Sequence, residues 1–299
     1  MHASSSIPGS VCRWIPPLCL DGSWQMGIDA WLLDQLLDQR GDPSGHQAGD
    51  PPDPSPPGAV APLAAVLRLY RWSRPTLSLG YHQRRISPRW IALQQRGELD
   101  LVRRPSGGRA VLHGDDLCYA LIWPGATGSR QQVYRRACHW LRQAFAAFDL
   151  PLHFGEPPRV QGGRAGAADP ACFASQTAAD LIDAGGRKRV GSAQLWRRGC
   201  LLQHGSIPLA PSPQLWRQVF GTEPPPPLPI ETEALCAALQ RSAEAHLLPE
   251  LAPRGCALQS RELSSSERSL IARRLAAQEQ HGALPVQERP EVGAGPEVG

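Results

Sequence analysis

Lys188 is the one lysine in this 299-residue chain; every other fixed positive side chain is arginine. Exposed cations that merely solubilise interchange at little cost, so a position that keeps an ammonium marks a candidate for chemistry. A guanidinium is planar, forked and permanently charged, and cannot point a compact charge at one oxygen in a narrow slot. Around Lys188 the sequence reads GRKRVGSAQ, in which the small Gly191, Ser192 and Ala193, followed by Gln194, open room across a strand. Further on, LQHGSI sets His204 and Ser206 on one face of a partner strand. His204 there suits a binding group or a satisfied core histidine. A third polar segment, RRPSGGRAVLHG at 103–114, follows another strand. Arg103 and Arg104 leave that strand, Pro105-Ser106 turn the chain, and Gly107 and Gly108 let the backbone bring its amides close to an anion or carbonyl. A tight turn accounts for the two glycines equally well.

These segments need elements to hold them. Ser23 is a candidate cap for a helix running to about Arg40, with Ile28, Trp31, Leu32, Leu36 and Leu37 on its apolar side. AVLRLYR, TLSLGY, LDLVRR, AVLH and LCYALIW read as strands separated by Pro- or Gly-bearing turns. A second helix is predicted from about Ser129 to Phe148, where Val133, Ala137, Leu141, Phe145 and Phe148 recur at helical spacing. RKRVGSAQLW and CLLQHGSIPL read as a hairpin turning at Arg197-Arg198-Gly199. Helices are predicted over 231–245 and from Ser264, where Ser264-x-x-Glu267 has capping-box spacing. Residues 1–19 read as a loose arm, 41–58 as an exposed Pro/Gly/Asp-rich insertion and 155–170 as a Gly/Pro/Ala-rich loop. The expected organisation is a catalytic unit over 20–250, a helical extension over 251–283 and a disordered tail over 284–299. Strands interleaved with few helices, without strict alternation, indicate an α+β fold with a mixed or antiparallel sheet and flanking helices.

Composition narrows the classes. A hydrophobic content of 41% suits a folded domain. The net charge of +4 is spread in short arginine pairs such as Arg84-Arg85, Arg135-Arg136 and Arg197-Arg198, too dispersed for a nucleic-acid tail. The eight cysteines show no C-x-x-C spacing, so neither a metal site nor a disulfide framework is expected. With no apolar run near 18 residues, no membrane association is expected, and the default compartment is the cytoplasm.

Taken together, RRPSGGRAVLH, GRKRVGSAQ and LQHGSI, in that order, resemble the catalytic domain shared by lipoate-protein ligases and the cysteine-dependent octanoyltransferases of lipoate assembly. LRLYRWSRPTLSLGYHQ resembles that family's first strands and MGIDAWLL its first helix, so the resemblance runs from about Trp24 to Leu209. It implies a fold like the biotin/lipoate ligase catalytic domain. It also implies that Lys188 contacts the reactive carbonyl or acyl-phosphate oxygen and that the Arg-Gly-Gly loop covers the acyl chain. Arg103, Arg104, Gly107, Gly108, His113, Gly191, Ser192, Ala193, Gln194 and His204 are the substrate-binding candidates under this resemblance.

Ligases of the family usually carry Asn-Asp before the lysine, whereas the octanoyltransferases carry a nucleophilic cysteine followed by phenylalanine. This chain has Cys172-Phe173, sixteen residues ahead of Lys188, and Arg109 where ligases usually have a third glycine. Both features resemble the transferase branch. The chain departs from the family at Gly114 (usually Asp), Ala120 (usually Ser) and Gln176-Thr177 (commonly Pro-Ser). The resemblance implies an acyltransferase that needs no cofactor. It would move octanoyl from acyl carrier protein, through a Cys172 thioester, to a lysine of glycine-cleavage H protein or of the lipoyl domains of 2-oxoacid dehydrogenase acyltransferase subunits. Two alternatives stand beside it: a lipoate-protein ligase that uses ATP and Mg through lipoyl-AMP, and a non-catalytic protein that binds acyl carriers or lipoyl domains.

Overall fold

The computed structural model describes residues 10–39, 63–155, 180–253 and 255–280. The insertion read at 41–58, the loop bearing Cys172 and the tail at 284–299 lie outside them. The chain opens with β1 (Ser10–Leu20), α1 (Gly22–Asp38), β2 (Leu63–Trp72), β3 (Thr76–Leu79), α2 (Pro88–Gln95), β4 (Asp100–Arg103), β5 (Val111–His113) and β6 (Asp116–Pro124). It continues through α3 (Arg130–Ala146), β7 (His153–Phe154), β8 (Asp180–Ile182), β9 (Lys188–Arg197) and β10 (Cys200–Pro208). Helices α4 (Pro213–Phe220) and α5 (Thr232–Ser242) follow, and α5 runs through a π turn at Ala243–Leu247 into α6 (Leu248–Leu251). Strand β11 (Cys256–Ser260) and helix α7 (Ser265–Gln280) complete the described elements.

An eight-stranded sheet has the order β11-β1-β2-β6-β10-β9-β8-β7, and a three-stranded sheet the order β4-β3-β5. Pairing is parallel at β11/β1, β1/β2 and β3/β4 and antiparallel elsewhere, as expected of a mixed α+β sheet. Strand β6 shows why the large sheet is sandwiched. Leu117, Tyr119, Leu121 and Trp123 point into the core beneath α3 and α5, while Cys118, Ala120 and Ile122 point into the core beneath α1 and α7. A strand that is apolar on both faces must be covered on both. The small sheet packs on α2 and α4 through Leu77, Leu79, Trp90, Leu93 and Val219.

The predicted helices and strands form, with three differences. Residues 10–19, read as part of a loose arm, belong with Leu20 to a strand paired on both edges. Pro16 and Pro17 discouraged that reading, but they fall at a register shift between Ile15 and Leu18, where the ladder is interrupted and their missing N–H groups cost nothing. The cap of α1 is Asp21 and not Ser23: Asp21 accepts a hydrogen bond from Trp24 N at 2.9 Å. The segment past residue 250, expected to be helical, supplies β11 to the sheet as well as α7, which packs on α1. The hairpin turn lies where expected, with Arg198 and Gly199 both at positive φ as a two-residue turn requires. The expected capping box at Ser264/Glu267 is formed, and the structure adds a second at Ser129/Gln132.

Candidate active site

The three motif segments converge on one cavity between the two sheets. Its apolar wall comes from Met26 of α1, Tyr70 and Trp72 of β2, Val111 of β5 and Cys118 of β6. Gly191, Ser192 and Ala193 of β9 and His204, Gly205 and Ser206 of β10 form a second wall. The rim is closed by Ser78, Arg104, Gly108 and His113. A mostly apolar slot with a few placed polar groups suits an acyl chain ending in a reactive carbonyl.

Glycines make the slot narrow. A Cβ on Gly80 would lie 1.9 Å from the Gly108 carbonyl oxygen, so these two backbones stack directly. Gly108 itself sits at φ +100°, which other residues rarely adopt. On the far wall a Cβ on Gly205 would meet the Tyr119 ring at 2.6 Å and Ser192 Oγ at 2.7 Å. The loop after β4 is stitched from within. Arg104 donates to the carbonyls of Gly107 (2.9 Å), Arg109 (2.6 Å) and Ser78 (2.8 Å), and Arg103 to those of Gly80 and Gln83, both at 2.8 Å.

Beside the rim, Asp116 Oδ2 accepts from His113 Nδ1 (2.6 Å), Ser206 Oγ (2.6 Å) and Cys118 Sγ (3.1 Å). Burial works to raise the Asp116 carboxyl, but the His113 ring together with the Ser206 and Cys118 donors outweighs it and holds the group below the usual carboxylate range. Burial and then the Asp116 charge push the Cys118 thiol well above its ordinary value, which makes it a poor nucleophile. His113, Asp116 and Cys118 are the one group among the described residues close enough together to ligate a metal. Three protons converging on one carboxylate oxygen describe a closed hydrogen-bond network instead.

Lys188 is buried, 5% exposed, and its Nζ lies 2.8 Å from Asp180 Oδ1. It opens β9 three residues before Gly191, and β8 carries Asp180 opposite Gly191 in register. It is not itself among the residues that wall the cavity. Of the substrate-binding candidates, Arg104, Gly108, His113, Gly191, Ser192, Ala193 and His204 border the cavity. Arg103, Gly107 and Gln194 do not; Gln194 instead donates to Gln203 Oε1 at 2.8 Å. Cys172 lies in the segment 156–179, outside the described residues. Sequence reasoning missed Asp180, Asp29, Ser78 and Gly80. For Asp180 a signal existed, since a lysine kept at a buried position requires an anion close by.

Residues 58–236 match the family described as the lipoyl protein ligase A/B catalytic domain, more than half of the chain. The chain belongs to this family. Over 240 residues it is 34% identical to octanoyltransferase LipM of Kyrpidia tusciae, an alignment covering 78% of this chain and 82% of that protein. It is 42% identical over 153 residues to octanoyltransferase LipM of Moorella thermoacetica, covering 48% of this chain and 53% of that one. The fold is similar to that of the bi-partite lipoate protein ligase of Thermoplasma acidophilum, with a TM-score of 0.58, 15% identity, and coverage of 93% of this chain and 99% of that one. Within the ligase A/B family, the cavity and its glycine loop therefore stand on the expected scaffold. No described helix is long and apolar enough to cross a membrane.

Proposed function

We propose that this enzyme, an octanoyltransferase of protein lipoylation, works through a covalent thioester on Cys172. The Cys172 thiolate attacks the carbonyl of an octanoyl thioester on acyl carrier protein and releases the carrier's thiol. The ε-amine of a lysine on a lipoyl domain then attacks the octanoyl-cysteine, forming the amide and returning the thiol. The exchanged thioesters are of similar energy, so neither ATP nor metal is required. Lys188 polarises the carbonyl in both steps, and the backbone at Gly107 and Gly108 helps shape the acyl slot.

The observation that carries this reading is the joint one. A buried ammonium, paired with Asp180, opens the strand whose next residues wall an apolar slot, in a chain similar to octanoyltransferases along most of its length. For the donor, Tyr81 is 60% exposed, and its N–H bonds the Ser106 carbonyl of the glycine loop at 2.9 Å. Arg84, Arg85 and Arg89 follow it, exposed and without an acidic partner among the described residues. This basic stretch, a few residues beyond Gly80, would steer an acidic carrier domain. The lipoyl-domain acceptor is supported by the Thermoplasma ligase, whose description couples it to an E2 lipoyl domain.

The test is intact-mass spectrometry after mixing the protein with octanoyl-acyl carrier protein. The expected result is one added octanoyl group, absent in Cys172→Ala and discharged by a lipoyl domain. A protein that never labels, but lipoylates that domain from free lipoate and ATP, is a ligase. One that binds both partners and does neither is a binding protein.

A further inference from the structure

Both histidines that border the cavity have each ring nitrogen bound within the protein. His204 Nδ1 lies 2.9 Å from Asp29 Oδ2, and its Nε2 lies 2.5 Å from Ser106 Oγ. His113 repeats the pattern, with Asp116 at Nδ1 (2.6 Å) and Ser78 Oγ at Nε2 (2.8 Å). A carboxylate at Nδ1 requires the proton there, and each Nε2 is paired with a serine hydroxyl. Neither ring keeps a nitrogen for a substrate.

Asp29, His204 and Ser106 reproduce the order of partners found in serine hydrolases. Ser106, however, is 1% exposed and does not border the cavity, so its oxygen cannot reach an acyl carbonyl held there. What it does hold is the loop. Ser106 lies between Arg104 and Gly108, both at the cavity rim, and bonds across 98 residues of chain to β10. Asp29 anchors the other end: it is fully buried on α1, and its second oxygen accepts from Arg68 Nε of β2 at 2.8 Å. Arg68 is in turn spent on the Gln25 side chain and carbonyl, at 2.9 and 2.8 Å. The path from helix to loop is continuous and buried.

We propose that Asp29, His204 and Ser106 form a positioning relay that fixes the Gly107–Gly108 loop over the acyl cavity, so that Ser106 sets the enzyme's hold on the acyl chain. This deepens the octanoyl-transfer reading and rests on it. The bond-making groups assigned there, Cys172 and Lys188, are not part of the relay, so its loss falls on binding.

The test uses the full chain and compares wild type with Ser106→Ala, Ser106→Thr, His204→Ala and the Ser106→Ala/His204→Ala pair. Steady-state octanoyl transfer is measured for each, and octanoate binding by calorimetry. In Ser106→Ala, KM for the octanoyl donor and the octanoate Kd should rise about 5- to 150-fold. That is the range for a buried polar group left unsatisfied, converted at 1.4 kcal/mol per decade. The kcat should stay within about threefold. Ser106→Thr, which keeps the hydroxyl, should return KM close to wild type, and the double variant should be no worse than the poorer single. The relay is overturned if Ser106→Ala leaves KM and Kd unchanged, if it lowers only kcat or the folded fraction, or if the two substitutions simply add. A wild-type protein that transfers no octanoyl group refutes the activity, while the octanoate Kd series still decides the relay.

Discussion

Replacing Lys188 separates what its ammonium does for stability from what it does for chemistry. Lys188 Nζ and Asp180 Oδ1 are 2.8 Å apart, and the two side chains are only 3% and 4% exposed. Removing one member of such a pair leaves a buried charge behind and typically costs about 3–5 kcal/mol. Lys188→Met should therefore lower Tm by roughly 6–20 °C, at about 2–4 °C per kcal/mol for a domain of this size class. Adding Asp180→Asn removes the remaining buried charge, and because a neutral pair is often as stable as the ionic one, most of that Tm should return. Transfer should not return with it. Loss of one well-placed donor to a developing oxyanion costs about 10²–10³ in rate, and the amide restores nothing at the carbonyl. The assay pairs thermal unfolding with single-turnover octanoyl transfer to a lipoyl domain, followed by mass. If the double variant regains transfer in step with its stability, Lys188 is a structural lysine and the chemical role assigned to it is wrong.

Gly80→Ala places a methyl 1.9 Å from the Gly108 carbonyl; overpacking of about 1–3 kcal/mol should lower Tm by roughly 2–12 °C and raise KM for the octanoyl donor, both read on purified variant. The Asp116 carboxyl is held below its ordinary value when folded, so its contribution to stability is complete above the usual carboxylate range and is lost as pH falls through the depressed value. Chemical denaturation from pH 7 to pH 2 should show that acid-side loss, and Asp116→Asn should flatten it. Burial raises the thiol of Cys138 to about 11 and that of Cys118 well above 9.0, so neither should alkylate at pH 8 in the native protein, as peptide mapping after iodoacetamide will show. Charge reversal at Arg84 and Arg85 should raise KM for octanoyl-acyl carrier protein at low salt and leave KM for a small octanoyl thioester unchanged.

The site was legible where its residues follow one another. Gly108 and the small run at 191–193 border the cavity through local backbone geometry, which spacing reveals. What escaped was the set of partners that only folding brings together. Asp29 lies 175 residues from His204, and Ser78 lies 35 residues from His113; nothing in the spacing of either pair marks them as neighbours. The same limit left His204 open between a binding group and a satisfied core histidine: its two nitrogens are taken by side chains from distant segments. Strand β1 was hidden by Pro16-Pro17, whose effect depends on the register against β2. Helices α2 and α4 were passed over because eight residues give too short a repeat to establish a period.

Strand β1 is held between β2 and β11, and Arg13 within it reaches Glu267 Oε1 at 2.6 Å and the Glu262 carbonyl at 2.6 Å, some 250 positions later. During synthesis, then, the opening strand must wait with one flank bare until every cavity-forming segment has left the ribosome. Closing that edge is a late event, and the interval before it is when a nascent chain is most open to capture by a neighbouring copy or a chaperone.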